Sequence, residues 1–328
     1  MNNRRKLIVA LGAGALATPF GSFAQHHGKV WRIGFLWEAA QSRNTQNFDA
    51  FKAGMQDLGH AEGKDYVVEQ RSAKDDLAHL PALAAELLAL KVDLFVTSGT
   101  PSAVAAHKAT REIPILVTIG SDPVGDGLAD SLRRPAWNVT GLTNLASELG
   151  SKRLDLLRQI VPGIRRVGYV YNPDNAGNAR SIKRFEADCD RLGLMLVRAP
   201  LRTAEDLAAA FNILRRDRAE GLLVSASSTH YSIRASIVEL VAKLGLPAIY
   251  GNAYFPDSGG MMSYASNNQE LFRRAAAYAD KIFKGAKPGD LPIEQPNKFE
   301  MVINLKTVKA LGVKIPDVVM LRAERVIE

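Results

Sequence analysis

From residue 30 onward, short apolar runs alternate with amphipathic stretches, the pattern of βαβ units whose strands are covered by helices on both faces. Strands are expected at Trp31 to Leu36, Tyr66 to Gln70, Leu94 to Thr97 and Ile115 to Ile119, with a short extended piece at Asn138 to Gly141. Helical periodicity fills 44–59, 78–91 and 102–110. A helix over 145–160 leaves this half, and at Arg166 the rhythm restarts. Strands at Val167 to Tyr171, Leu194 to Val197, Gly221 to Val224 and Ala248 to Tyr250 then alternate with helices at 176–192, 203–217 and 231–244. The remainder (a strand at Gly260 to Ala265, a helix over 267–284, a Pro-rich passage and a strand at Met301 to Leu305) matches neither half and is expected to be shared between them. The fold class is therefore α/β, two doubly wound Rossmann-like lobes joined by a hinge of three crossovers, near Gly141 to Leu145, Gly251 to Asp257 and Gln295 to Lys298. The expected division is 30–143 plus about 258–295 for the first lobe, and 144–251 plus about 297–328 for the second.

Ligands of open parallel sheets bind beyond the carboxyl ends of the strands. In the first half those ends carry Leu36-Trp37-Glu38 and Ser98-Gly99-Thr100-Pro101-Ser102. Gly99 permits close approach, Thr100 suits a helix cap, and Pro101 suits the first helical position. Free backbone N–H groups there fit a carboxylate, although helix capping alone explains the same residues. Ser225-Ala226-Ser227-Ser228-Thr229 occupies the matching place in the second half. Asp122, in the turn Gly120 to Leu128, offers an acceptor for an ammonium or hydroxyl group, or bonds its own turn. Trp37, Tyr171 and Tyr254 stand at or just after strand ends, as walls for a planar ligand or as ordinary packing.

The N-terminus speaks to location. Arg4, Arg5 and Lys6 precede the apolar run Leu7 to Ala17 and the small-x-small pattern Ser22-Phe23-Ala24, which reads as a cleaved signal peptide over 1–24 of the general secretory or twin-arginine type. The run is shorter than the roughly 20 residues of a membrane span. With no cysteine after the cleavage point, a free periplasmic product without a lipid anchor is expected. Losing the three basic residues of that leader takes the formal charge from +8 to +5, spread over short Arg pairs rather than a basic stripe, so no nucleic acid partner is expected. A single cysteine, Cys189, precludes an intramolecular disulfide.

Catalytic signatures are missing from the sequence: the six histidines show no metal-ligand spacing, and neither a G-x-S-x-G elbow nor a Walker A motif occurs. No catalytic residue, metal ligand or cofactor is assigned. An exported hydrolase using Asp122 with Ser98 or Thr100 has only His230 near a strand end as a base, which is thin support.

The segments IGFLW, DLFVTSGTPSAVAAHKAT, IPILVTIGSDPVGDGL, NVTGL, RVGYVYNP and KFEMVINLKTVKALG resemble the periplasmic substrate-binding proteins of ABC transporters, in the group that includes tryptophan- and tyrosine-type binders. The resemblance extends over nearly all of 30–325. It implies a type I periplasmic-binding-protein fold that closes, as a monomer, on a small molecule and delivers it to a membrane permease with its ATPase. A sensor that hands its liganded form to a membrane receptor would share these features. The pocket the resemblance implies includes Trp37, Ser98, Thr100, Asp122, Asn172, Ser225, Asn252 and Tyr254, and Gly99, Tyr171 and Ser227 join them from the strand-end reading. Where amino-acid binders often carry acidic residues, this chain has Asn175 and Ser227, so an organic or aromatic carboxylate is expected as readily as an amino acid.

Overall fold

The computed structural model describes residues 29–146 and 148–328; the expected signal peptide lies outside the described residues. Strands β1 (Trp31–Trp37), β2 (Tyr66–Ser72), β3 (Leu94–Thr97), β4 (Ile115–Gly120) and β5 (Val139–Thr143) form an all-parallel sheet in the order β2-β1-β3-β4-β5. Helices α1 (Thr45–Asp57), α2 (Leu80–Ala89) and α3 (Thr100–Ala109) follow β1, β2 and β3. Strand order reverses between β1 and β3, which makes their carboxyl ends the switch point where such a sheet takes a ligand.

The second lobe repeats this plan. After α4 (Leu149–Ile160), strands β6 (Arg166–Tyr171), β7 (Met195–Pro200), β8 (Gly221–Val224) and β9 (Ala248–Tyr250) alternate with α5 (Ala176–Arg191), α6 (Leu207–Arg216), α7 (Ser228–Ser232) and α8 (Arg234–Leu244). β10 (Met262–Ala265), β11 (Glu300–Asn304) and β12 (Arg325–Ile327) complete the order β12-β11-β10-β9-β8-β6-β7, in which β11 runs antiparallel to β10. The reversal between β6 and β8 is this lobe's switch point. The type I periplasmic-binding-protein architecture expected from the sequence is present.

One boundary differs from expectation. The range beginning near 258 was assigned to the first lobe, yet β10 pairs in parallel with β9 in the second sheet, Met262 beside Ile249. A parallel connection usually needs a dozen or more residues and a helix. Here a short passage holding only the 3₁₀ turn Pro256–Ser258 suffices, pinned by the Phe255 ring stacked on Tyr250 at 4.5 Å. The second crossover therefore falls between Ala265 and Asn268, not at 251–257. Beyond it, α9 (Asn268–Phe283) returns to the first lobe and buries Leu271, Phe272, Ala275 and Ala279 with Phe51 and Met55 of α1. The third crossover runs from Glu294, whose N–H donates to Gly141 O at 2.9 Å beside β5, to β11.

Each sheet is covered on both faces by separate apolar clusters, which accounts for strands that read as near-continuous apolar runs. No helix among the described residues is long and apolar enough to cross a membrane.

Candidate functional site

The two switch points face each other and touch. At the end of β1 the chain turns at Glu38, whose N–H donates to Ser98 Oγ (3.1 Å) at the end of β3. The Glu38 carboxylate lies against the first turn of α3, where Ser102 N–H and Ser102 Oγ both donate to Oε1 at 3.2 Å. Gly99 makes room: a Cβ there would stand 2.5 Å from Glu38 Oε1. From the opposite lobe, Ser228 Oγ at the start of α7 donates to Glu38 Oε2 at 2.7 Å. Glu38 is 2% exposed, and burial pushes its carboxyl above the usual carboxylate range; the Ser228 and Ser102 donors pull the other way, and nearby Asp75 adds to the upward push.

Further contacts bind the lobes around this point. Arg180 of α5 pairs with Asp126 and, at 3.7 Å, with Asp122, both in the turn after β4. Burial holds the Asp126 carboxyl above its ordinary range even with Arg180 beside it. Ser232 donates to Asp75, and Gln269 of α9 donates to Tyr254 Oη at 3.1 Å. These interlobe bonds describe a closed cleft.

Inside it is a polar cavity of about 70 Å³, walled on one side by Glu38, Ser98, Gly99 and Thr100 and on the other by Asn175, Asn178, Ser227, Ser228, Tyr231 and Tyr254. A second cavity of about 120 Å³ lies toward the crossovers and includes Arg153, Asn252 and Gln269. Both are lined by Asn144, Ala146, Ala226, Asn252, Tyr254 and Asn268, so they are compartments of one cleft.

Of the residues expected at the site, Ser98, Gly99, Thr100, Ser227, Asn252 and Tyr254 line the cavity. Thr100 opens α3 after Gly99 without capping it; its hydroxyl pairs with Ser121 Oγ (3.1 Å) and donates to Asp126 (3.3 Å). The other five stand elsewhere. Trp37 shares the side of β1 that carries Ile33 and Phe35, so it is fully buried against Phe272, with its indole N–H bonded to Gln70 Oε1 at 2.8 Å. Tyr171 likewise follows Val167 and Tyr169 into the second lobe's core, its ring 5.8 Å from that of Tyr169. Asn172 and Ser225 are buried in a network within the lobe: Asn178 Oδ1 accepts from Asn172 N–H (3.2 Å) and Ser225 Oγ (2.7 Å), and Asn172 Nδ2 donates to Thr229 Oγ1 (3.2 Å). Asp122 accepts from Gly125 N–H at 3.0 Å, the turn role, and joins the Arg180 pair at the cleft's rim.

Sequence reasoning placed Glu38 and Ser228 in the strand-end segments without assigning them to the site, and passed over Asn178 and Tyr231. For Glu38 the signal was available, because alternation along β1 turns residue 37 into the core and leaves residue 38 first in the strand-end loop. His230, the one candidate base, is fully buried, with Nε2 3.0 Å from Leu201 O and Nδ1 3.3 Å from Ser225 Oγ, and burial lowers its pKa; Ser225 is buried with it and does not line the cavity, so the pair packs within the lobe.

The sequence profile of ABC transporter substrate-binding proteins matches residues 41–327. The chain belongs to this family. Among relatives, this substrate-binding protein is similar to a tyrosine-binding protein of Clostridioides difficile (strain R20291), with 25% identity over 264 residues, 80% of this chain and 76% of the other. A conserved domain protein from Vibrio cholerae superposes with a TM-score of 0.85 at 24% identity, covering 91% of this chain and 100% of that one. An ABC domain in complex with L-Trp from Streptococcus pneumonia superposes with a TM-score of 0.83 at 22% identity, again over 91% and 100% of the two chains. As a substrate-binding protein of an ABC transporter, the molecule has a small-molecule ligand and a membrane permease as partner, and its family is one of binding proteins rather than enzymes.

Proposed function

We propose that this protein is exported, captures one small organic molecule of the amino-acid or aromatic-acid class between its lobes, and hands it unaltered to an ABC permease and its ATPase. The observation that supports this most directly is the apposition of the two switch points, with Glu38 of one lobe hydrogen-bonded to Ser228 of the other across a shared polar cleft. A cleft built from two lobes and crossed by three strands of chain is a device for closure: ligand contacts to both lobes select the closed form. The walls suit a small polar molecule with a planar part. Asparagines and hydroxyl groups supply donors and acceptors, and the Tyr231 and Tyr254 rings, 5.3 Å apart and tilted 47° to each other, supply aromatic surface. The related tyrosine-binding protein and the L-Trp complex favour an aromatic amino acid. In the closed form each compartment is smaller than the roughly 150 Å³ that holds a benzene ring, so such a ligand requires both compartments to open into one.

The test is mass spectrometry of small molecules released when the purified protein is denatured, followed by calorimetry of the stripped protein with L-tyrosine and L-tryptophan. A stoichiometric released metabolite, recovered chemically intact after incubation with the native protein, is expected. A released product that differs from the molecule supplied would replace the transport reading with an enzymatic one.

A further inference from the structure

The compartment of the cleft beside Glu38 holds a buried carboxylate with no basic side chain in ion-pair contact. Glu38 is the sole carboxylate there, and no Lys, Arg or His lines the wall; in the adjoining compartment Arg153 and Arg325 stand with Glu300 and Asp257, and Arg325 is paired with Asp257. Among the described residues no basic nitrogen lies within ion-pair distance, 4.0 Å, of the Glu38 carboxylate. The nearby basic groups are engaged elsewhere, Arg43 with Asp75 and Arg180 with Asp126 and Asp122. The nearby Asp75 on the first lobe has the same sign as Glu38. Three neutral donors from Ser102 and Ser228 satisfy the geometry of the carboxylate but not its charge. Burying an ionised carboxylate without a counter-charge costs several kcal/mol, so buried charges are as a rule paired. In the empty closed cleft a proton can relieve this charge; an ionised Glu38 takes its partner from what enters the cleft.

Resting on the binding-protein reading above, we propose that Glu38 is the specificity determinant of the site and receives a positively charged nitrogen of the ligand, a primary ammonium or a guanidinium. Ser228 marks the route of entry: it reaches Glu38 from the opposite lobe, so its bond is made on closure and is the one a cationic group displaces or shares. The assignment reverses the preference drawn from Asn175 and Ser227. The acid lost from the second lobe's loops has a counterpart in the first, at the end of β1.

The probes separate charge from shape. Tyramine has an aromatic ring and an ammonium without a carboxylate; L-tyrosine has both charges; 4-hydroxyphenylacetate has the carboxylate without the nitrogen; agmatine has an ammonium and a guanidinium without the ring. Titrated calorimetrically into the stripped full-length mature protein, at least one nitrogen cation is expected to bind, and 4-hydroxyphenylacetate to bind more weakly than tyramine or L-tyrosine. Glu38→Gln is expected to weaken the cation about 10- to 100-fold, the loss of a charge-assisted hydrogen bond. Glu38→Asp, which keeps the charge on a shorter arm, should fall between, and it stands in if the amide variant fails to fold. Tighter binding of the nitrogen-free acid, or unchanged cation affinity in a folded Glu38→Gln protein, overturns the proposal while leaving the transport reading intact. If no probe binds, the molecule released from the denatured protein decides: a protonated nitrogen supports the assignment and a ligand without one ends it. A protein that releases nothing and binds nothing loses both readings.

Discussion

Single residues decide which strand-end side chains see the cleft, and alternation decides it for them. Trp37 and Tyr171 each end the first strand of a lobe, and each falls in phase with the core-facing residues before it, so the widest rings at the two strand ends pack inward. That outcome was legible by counting from Ile33 and Val167. The role of Arg153 was not, because its partners come from segments far apart in sequence: the guanidinium Nε donates to Tyr264 O at 2.8 Å and Nη1 to Ala146 O at 3.3 Å, which ties the approach to the second crossover to the exit from the first. Among the described residues no carboxylate pairs with it, and burial lowers its pKa to about 10. Replacing it by Met keeps much of the volume and removes the donors, leaving two carbonyl oxygens without them. Arg153→Met should therefore destabilise the protein by about 1–3 kcal/mol in urea unfolding. A variant as stable as the parent would show that these carbonyl bonds contribute nothing net.

Among the elements, α5 is the one whose placement most directly controls closure. Its first turn is capped by Asn175, whose side chain accepts from Asn178 N–H at 3.1 Å, and the next residues run along the opposite lobe. A Cβ at Gly177 would come within 2.1 Å of Ser121 Oγ in the first lobe. Within its own lobe the same Cβ would stand 3.2 Å from Asn175 Oδ1, the end of a side chain that can shift by a few tenths of an ångström, so Gly177→Val should leave each lobe folded yet prop the cleft ajar. Overpacking of this kind costs about 1–3 kcal/mol, so ligand affinity measured by calorimetry should fall at least fivefold with the thermal midpoint of the ligand-free protein nearly unchanged. Undiminished affinity would mean that the lobes close along another path. At this scale the sequence reading recovered β1 to β11 and the main helices to within a few residues, because apolar runs and helical periodicity are local properties, and it missed the three-residue edge strand β12. It began a helix at 231, running through the break at Ile233 and leaving most of α7 as a loop, and it assigned β10 to the wrong lobe. Neither error had a local remedy. Which sheet a strand joins depends on how short a crossover can be, and the Tyr250 and Phe255 stack that shortens this one joins residues whose pairing no periodicity announces.

For the molecule as a whole, closure without cargo is a balance between interlobe bonds and the burial of acids. The Arg180 pair with Asp126, the Ser228 bond to Glu38 and the Ser232 bond to Asp75 favour the closed form; the desolvation of Glu38 and Asp126 opposes it. Glu38 titrates in the company of Asp75 on the loop after β2, itself paired with Arg43, and of the neutral Ser102 and Ser228. Its carboxyl is raised in the closed form, so the closed form holds its proton more tightly than the open one. The contribution of Glu38 to empty closure is thus complete at pH below the ordinary carboxylate range and is lost as pH rises through the raised value. Small-angle scattering of the stripped protein should show a radius of gyration that increases with pH across this range and falls again when the ligand is added at the upper end. In Glu38→Gln the neutral amide removes this titration, and the pH-dependent part of the change should shrink or vanish. A wild-type radius indifferent to pH and ligand, or a Gln variant with the parent's full pH response, would show that the balance is struck elsewhere. If the response follows Glu38, the same carboxylate that resists closing on an empty cleft becomes, once a cation enters, the contact that rewards it, and the lobes stay shut in proportion to how well the cargo neutralises that charge.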